Sequence, residues 1–440
     1  MFAMDIGGFD GRRPAILDDR AAAFPVARLS DVPPGEYVAQ AVLDTNTDLK
    51  SVNAPGNLYS APTPVRIVPS GGVVVQLQLS RRVPDEELPP PTELLRWIKI
   101  RSAVLSEFHK RPIYLRGGVI LPRDYDKDPT RRYPLRVHIG GYGASYRGVE
   151  LMMRNGAPFR NTWLSDEAPR MILLHLDGDG PLGDPYQVNS ANHGPYGDAL
   201  VKELIPYVER EFRVTAESGA RVLDGESTGG WVSLALQIFY PDLFNGTWSL
   251  CPDAVDFRGF QLINIYQDTN AYVNAYGFER PSARDTSGDV RFTMRHEVQM
   301  ENVLGQGDSW TMSGGQWGAW NATYGPRDAA GRPVALWDPK TGVMDRSVTE
   351  YWKQYDIRRV LEANWTTLGP KLQGKIHVAV GDADDYFLNN AARMLEAFFQ
   401  KAQPHYQGRM LFAPLQGHCH TGLTDLVIMK EMAARTGARS

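Results

Sequence analysis

One short stretch, residues 221–231, constrains the fold of this 440-residue chain more than any other. The apolar residues Val222 and Leu223 lead into the pattern Gly-x-Ser-x-Gly at 225–229, and a helix-like run follows. This pattern predicts a strand, a sharp turn and a helix, with the hydroxyl of Ser227 exposed at the turn. Glycines are needed on both sides because the strand and the helix pass too closely for larger side chains. The stretch therefore predicts a nucleophilic serine at the edge of a sheet.

Strands and helices alternate along the chain from about residue 96, which is the pattern of an α/β sheet. We therefore assign residues 96–440 to one α/β domain with a mostly parallel central sheet flanked by helices. Apart from the stretch around Ser227, the predicted strands cover 113–121, 135–139, 171–176, 246–250, 375–380 and 409–413, and the predicted helices cover 196–212, 349–363, 388–402 and 423–435.

The first 95 residues differ from the rest of the chain. Runs at 36–43, 65–68 and 73–79 read as strands, separated by Gly, Pro and Asn, and helical periodicity is missing. We interpret residues 1–95 as a small β-sandwich-like N-terminal module. The proline-rich segment 84–91 marks the predicted boundary.

Residues 255–348 interrupt the alternation of strands and helices. They are rich in Asn, Gly, Tyr and Trp without clear periodicity, and a long irregular stretch inside a domain is usually functional, such as a lid or a pocket wall. Two interpretations of its tryptophans stay open: core packing, or an aromatic wall for a substrate. The tryptophans in and after this stretch are Trp310, Trp317, Trp320, Trp337, Trp352 and Trp365.

A serine alcohol needs a histidine to take its proton and an acid to hold that histidine. In the α/β-hydrolase order the acid and the histidine follow the serine, on loops after late strands. His418 comes directly after the last predicted strand and is our candidate base, with His420 as the alternative. Asp384 follows the strand at 375–380 and is our candidate acid. Asp385 and Asp382 are the alternative candidates for the acid.

Two backbone amides are candidates for an oxyanion hole. The amide of Thr228 lies at the first turn of the helix after Ser227. The amide of Tyr142 follows Gly140 and Gly141, which allow the backbone to approach a ligand closely. The sequence thus supplies one donor beside the nucleophile and one from the loop after an earlier strand.

These motifs together resemble the esterase D-like family of α/β-hydrolases, which includes feruloyl esterases, S-formylglutathione hydrolase, enterochelin esterase and mycolyltransferases. The resemblance covers roughly residues 100–435 and implies Ser227 as nucleophile, Asp384 as acid and His418 as base. It also implies the Thr228 and Tyr142 amides as the oxyanion hole. The chain departs from many members by Gly140, where they have histidine, and by its long insertion. The matching segments are 133–142, 194–213, 225–229, Gly381-x-x-Asp384 and Gly417-His418.

Composition excludes several other classes. The net charge of −4 gives no basic footprint, so we expect no nucleic-acid partner. No apolar run approaches the roughly 20 residues of a membrane span, so we expect no membrane segment. The N-terminus lacks the features of a signal peptide, so we expect either a cytoplasmic protein or a mature form without its leader. The two cysteines, Cys251 and Cys419, have no metal-binding spacing. Both are expected near the catalytic rim, so a disulfide between them is a hypothesis.

The sequence therefore predicts a serine hydrolase that cleaves carboxylic esters through an acyl-enzyme. We expect no cofactor and no metal, and a substrate that is a small-molecule or polymer-linked ester. Three alternatives stay open: an acyltransferase on the same scaffold, a non-catalytic carbohydrate-binding or partner-binding protein, and a peptidase. The acyl and alcohol parts of the substrate and the oligomeric state are left open.

Overall fold

The computed structural model describes residues 1–9, 11–69 and 72–439, and its elements are numbered along the chain. The strands are β1 Phe2–Ala3, β2 Ala22–Ala23, β3 Gly35–Ala39, β4 Val42–Leu43, β5 Leu58–Tyr59, β6 Thr63–Ile67, β7 Arg81–Arg82, β8 Leu95–Ser102, β9 Ile113–Ile120, β10 Leu135–Ile139, β11 Ile172–Leu176, β12 Asn189–Ser190, β13 Gly194–Pro195, β14 Arg221–Glu226, β15 Thr247–Leu250, β16 Pro281–Arg284, β17 Val290–Thr293, β18 Ile376–Gly381 and β19 Arg409–Ala413. The α-helices are α1 Ala103–His109, α2 Gly148–Met152, α3 Pro158–Trp163, α4 Tyr196–Ala199, α5 Ile205–Glu211, α6 Thr228–Phe239, α7 Met294–Leu304, α8 Gln316–Tyr324, α9 Arg346–Trp352, α10 Ile357–Leu372, α11 Leu388–Lys401 and α12 Asp425–Thr436.

An eight-stranded sheet forms the centre of the molecule, in the order β19-β18-β15-β14-β10-β11-β9-β8. Neighbouring strands from β19 to β11 are parallel, and β9 and β8 complete the sheet as antiparallel strands. The loops after β10, β14, β15, β18 and β19 therefore leave the sheet at one edge, where open α/β sheets bind their ligands. This is the α/β-hydrolase arrangement, as the sequence predicted.

Burial explains why these segments form these elements. Every residue of β11 is buried, as expected of a parallel strand covered by helices on both faces. Helix α11 instead buries one stripe, Leu388, Ala391, Ala392, Leu395 and Phe399, whose spacing follows one face of a helix. Within the described residues, none of the helices combines the length and the apolarity that a membrane crossing needs.

The predicted β-sandwich-like module is not confirmed. The strands before residue 95 form small separate sheets, β1–β2, β3–β6 and β4–β5–β7. Among the described residues up to 94, Ala54 is the only buried apolar side chain, so these strands share no sandwich core. The predicted strand at 73–79 is wrong: its described residues form no strand, and Val74 is 93% exposed. The Val run and the alternating Gln and Leu that follow it suit a strand, but the described residues of this segment have no partner strand. The division into domains stays a prediction.

The N-terminal segment instead contacts the central sheet and its loops through polar groups. The Glu86 carboxylate accepts hydrogen bonds from Lys99 Nζ (2.9 Å), Arg116 Nε (3.0 Å) and the Tyr146 hydroxyl (2.8 Å). Burial by itself would raise the pKa of Glu86, but these three partners lower it to about 2. Glu86 is therefore an ionised carboxylate that pairs with two cations of the central sheet, Lys99 on β8 and Arg116 on β9.

The insertion at 255–348 is more regular than the sequence predicted. It contains the β16–β17 hairpin, α7 and α8, and its apolar side chains join the main core. Helix α8 is buried from Trp317 to Tyr324, on all of its sides. A helix that is buried all round has no polar face and therefore no amphipathic period to detect.

The tryptophans form part of the core rather than a substrate wall. All six are between 0 and 5% exposed, so their rings are not available to a ligand. Trp310 stacks on Trp337 with ring centroids 4.5 Å apart, and Trp317 meets Trp320 edge-on at 4.6 Å. The core-packing interpretation is confirmed, and the aromatic-wall interpretation is wrong.

Candidate active site

The sharp turn between β14 and α6 places Ser227 at the carboxyl edge of the central sheet. Its backbone has φ 56° and ψ −120°, a conformation that residues other than glycine rarely adopt. A Cβ on Gly229 would collide with the carbonyl oxygen of Ile139, and a Cβ on Gly225 would collide with that of Gly229. The predicted strand, turn and helix are present, with both glycines in positions that tolerate no side chain.

A carboxylate and an imidazole meet at the same edge of the sheet as this turn. Asp384, in the turn after β18, is fully buried, and its Oδ2 lies 2.7 Å from Nδ1 of His418 in the loop after β19. Oδ1 of Asp384 accepts the amide N–H groups of Tyr386 (2.9 Å) and Leu388 (3.2 Å), which hold the carboxylate in one orientation. Since Nδ1 is engaged, Nε2 is the ring nitrogen of His418 left to exchange a proton.

The alternative residues lie nearby but in other roles. Asp382 accepts the amide N–H of Leu415 at 2.6 Å, and Asp385 accepts that of His418 at 2.9 Å. Both carboxylates therefore hold the backbone of the loop after β19, whereas that of Asp384 bonds the imidazole ring. His420 is exposed, and its Nδ1 lies 2.9 Å from the carbonyl oxygen of His418. The structure thus places all three aspartates around the His418 loop.

The electrostatic surroundings of His418 favour its charged form. Burial lowers the pKa of the imidazole, but the hydrogen bond and the charge of Asp384 oppose it. The charges of Asp253 and Asp385 act in the same direction, and the net result is a pKa above the ordinary value of 6.5. An imidazolium formed at this position is therefore stabilised by three carboxylates.

The loop after β10 lies against the serine. A Cβ on Gly141 would be 3.9 Å from the Cβ of Ser227, so this backbone runs directly beside the nucleophile candidate. The Tyr142 hydroxyl donates to the carbonyl oxygen of Gly314, and Gly143 N–H donates to Asp184 Oδ2 at 3.1 Å. These two bonds hold the loop that carries the Tyr142 amide.

A family model described as "Putative esterase" matches residues 114–421, which is more than half of the chain. The chain belongs to this esterase family. The matched range contains Ser227, Asp384 and His418 in that order. The chain is therefore a carboxylic ester hydrolase, as the sequence predicted.

Solved structures similar to this esterase span most of its length. A fluorophosphonate-binding serine hydrolase of Staphylococcus aureus shares 12% identity at a TM-score of 0.44, covering 78% of this chain and 98% of its own. An S-formylglutathione hydrolase of Agrobacterium tumefaciens shares 11% at 0.41, covering 78% and 95%. A ferulic acid esterase of Anaeromyces mucronatus shares 12% at 0.39, covering 80% and 94%. No curated protein matches the chain.

A disulfide joins Cys251, directly after β15, to Cys419, directly after His418. The hypothesis made from the sequence is thereby confirmed. The bond ties the histidine loop of the esterase to the strand beside β14. Within the described part of the chain, one group of side chains is close enough to hold a metal, namely these cysteines with His418, and the disulfide uses both sulfurs. The absence of a metal stays a prediction.

Sequence reasoning missed one buried carboxylate of the esterase, Asp253. It follows β15 at the same sheet edge, is 3% exposed, and its Oδ2 accepts the Thr228 hydroxyl at 3.0 Å. Burial raises the pKa of the Asp253 carboxyl, and hydrogen bonds from its neighbours oppose that rise. A signal was present, since an aspartate directly after the strand next to the serine strand must lie near the serine.

Proposed function

We propose that the esterase is a serine hydrolase with Ser227 as nucleophile, His418 as general base and Asp384 as the acid that orients His418. The observation that carries this proposal is the 2.7 Å contact between Asp384 and His418, at the same sheet edge as Ser227. A serine becomes a good nucleophile when a neighbouring imidazole of fixed tautomer accepts its proton. By accepting Nδ1–H, Asp384 leaves Nε2 free for that proton.

The reaction proceeds in two halves. In the first, Oγ of Ser227 attacks the ester carbonyl carbon while His418 takes the hydroxyl proton. The carbonyl oxygen becomes an oxyanion, which accepts hydrogen bonds from the amides of Thr228 and Tyr142. Each amide is expected to lower the barrier by about 3 kcal/mol. His418 then gives its proton to the departing alcohol, and the acyl group stays on Ser227.

The second half repeats these steps with water. His418 takes a proton from water, the resulting hydroxide attacks the acyl carbonyl, and the same two amides hold the second oxyanion. Collapse of this intermediate returns the proton to Ser227 and releases the carboxylic acid. The net reaction consumes one ester and one water and yields one acid and one alcohol, with no cofactor. The substrate is a small-molecule or polymer-linked ester.

A labelling experiment tests this proposal. The wild type should hydrolyse p-nitrophenyl acetate and butyrate and should lose this activity on treatment with a fluorophosphonate. Mass mapping of the treated protein should then find the label on Ser227 alone, because a fluorophosphonate reacts with an activated serine. Heat-denatured protein, which carries the same serines without the site, is the matched control. Hydrolysis without any label on Ser227 would contradict the proposal.

The pH dependence of kcat/KM should follow the titration of His418 in the free enzyme. Since the pKa of His418 is raised above 6.5 and only the neutral imidazole can accept a proton, activity should fall as the pH drops through a midpoint above 6.5. Initial rates with p-nitrophenyl butyrate from about pH 5 to pH 9 measure this midpoint. An acidic limb centred at or below 6.5 would show that the surrounding carboxylates do not act on the base.

A further inference from the structure

Asp253 is the meeting point of three parts of the esterase. Besides the Thr228 hydroxyl, its Oδ2 accepts the Tyr186 hydroxyl at 2.7 Å and Trp320 Nε1–H at 3.0 Å. Its own amide donates to the carbonyl oxygen of Ser227 at 3.2 Å. The donors belong to α6, to the loop after β11 and to α8 of the insertion. A single carboxylate oxygen therefore joins the start of the nucleophile helix to the insertion.

Gln316, the first residue of α8, contacts one of the donors to Asp253, the Tyr186 hydroxyl. Its Nε2 donates to the Tyr186 hydroxyl at 2.6 Å, so the Tyr186 proton is directed to Asp253. Thr228 and Tyr186 are fully buried, and Trp320 is 3% exposed. Because water does not reach these donors, a lost acceptor at Asp253 would leave them without a partner.

The same short segment of the insertion also reaches the other proposed oxyanion donor. Gly314, two residues before α8, accepts the hydroxyl of Tyr142 through its carbonyl oxygen. Gly314 has φ +69° and lies so close to Gly183 that a Cβ on Gly183 would be 2.8 Å from the Gly314 oxygen. Residues 314–320 therefore contact Tyr142 at one end and the Asp253 cluster at the other.

We propose that Asp253 is a positioning residue for the oxyanion hole. Through Thr228 it holds the amide beside the nucleophile, and through Trp320 it aligns that amide with the Tyr142 amide across residues 314–320. The insertion thus completes the oxyanion hole rather than covering it as a movable lid. Asp253 itself is too buried to contact substrate. This inference rests on the proposed serine-hydrolase function.

The test compares Asp253→Leu with the wild type. Leucine keeps the branched shape but has no oxygen, so the donors around Oδ2 lose their common partner. Asparagine would be uninformative, because its amide oxygen could take the place of Oδ2 and keep the three hydrogen bonds. We expect kcat to fall about 10- to 100-fold, less than the roughly 10²- to 10³-fold typical of removing a donor outright. KM for p-nitrophenyl butyrate should change less than about threefold, because the ground state makes little use of the oxyanion hole.

A trifluoromethyl ketone inhibitor supplies the readout that separates positioning from general damage. It forms a tetrahedral adduct whose oxyanion occupies the hole, so its Ki should rise by the same factor by which kcat/KM falls. Asp356→Leu is the matched control: Asp356 is also fully buried, and it accepts the Tyr266 hydroxyl at 2.7 Å and the Phe257 amide at 3.0 Å rather than any group of Thr228 or Tyr142. This control should lower stability without a selective loss of inhibitor affinity.

Each outcome decides the inference. Wild-type kcat and Ki in Asp253→Leu would overturn it, as would a loss of kcat without a matching rise in Ki. If Asp253→Leu does not fold, Thr228→Val removes the hydroxyl alone and should show the same parallel loss; unchanged kinetics in that variant would overturn the inference. A wild type that neither hydrolyses esters nor labels at Ser227 would instead refute the proposed function.

Discussion

Replacing Ser227 with alanine is expected to lower kcat for p-nitrophenyl butyrate by about 10⁴- to 10⁶-fold, to the residual rate supplied by binding and the oxyanion hole. The variant has no oxygen that can form an acyl-enzyme, so neither half of the reaction can proceed by the proposed route. Steady-state rates, together with loss of fluorophosphonate labelling, measure the effect. Circular dichroism should show a native fold, since alanine occupies the same turn without added bulk.

Ser218→Ala is the matched control for this prediction. Ser218 is also a serine next to β14, but it is exposed and lies just before the strand, at the opposite edge of the sheet. Its loss should leave kcat and labelling at the wild-type level. If Ser227→Ala kept a tenth or more of the wild-type rate, Ser227 would not be the nucleophile.

Replacing Asp384 with asparagine is expected to lower kcat by about 10⁴-fold with little change in KM. The amide oxygen can replace Oδ1 in accepting the Tyr386 and Leu388 amides, and the NH₂ group then faces His418. An NH₂ group donates to Nδ1, so Nε2 must carry the ring proton and cannot accept the proton of Ser227. Stopped assays with long incubation times are needed to measure the remaining rate.

Asp382→Asn is the comparison from the same turn. Asp382 bonds the backbone amide of Leu415, and an amide oxygen can still accept that bond. The Asp382→Asn substitution should therefore lower kcat at most about tenfold, because the ring of His418 keeps its partner Asp384. Equal losses in both variants would mean that the turn acts as a whole and that Asp384 has no separate role.

Local motifs and chain order made much of the site predictable. The turn around Ser227 is encoded by neighbouring residues. A side chain on Gly225 would collide with the backbone of Gly229, and one on Gly229 would collide with the backbone of the adjacent strand β10. The choice of Asp384 and His418 followed from the order of strands, and the 2.7 Å contact between them agrees with it. The sequence could not separate Asp384 from Asp382 and Asp385, because all three serve the same loop.

Other features depend on partners far away in the chain, and sequence patterns do not show them. The strand pattern at 73–79 has no neighbouring strand to pair with. Helix α8 lacks an amphipathic period because its surroundings bury it on all sides. The proposed role of Asp253 depends on its hydrogen bonds to Tyr186 and Trp320, each 67 residues away along the chain.

The first 94 residues contact parts of the enzyme that lie inside the range matched by the family model. The family match starts at residue 114, inside β9, and so leaves out β8 at the edge of the sheet. It also leaves out Glu86, the counter-charge of Arg116, and Lys50, which packs against Gly314 beside the Tyr142 hydroxyl. A recombination event that exchanged this N-terminal stretch at the family boundary would leave Arg116 with Asp177, 3.8 Å away, as its remaining carboxylate, and would remove the contact of Lys50 with Gly314. The range matched by the family model is therefore shorter than the part of the chain that contacts residues 314–320 and the central sheet.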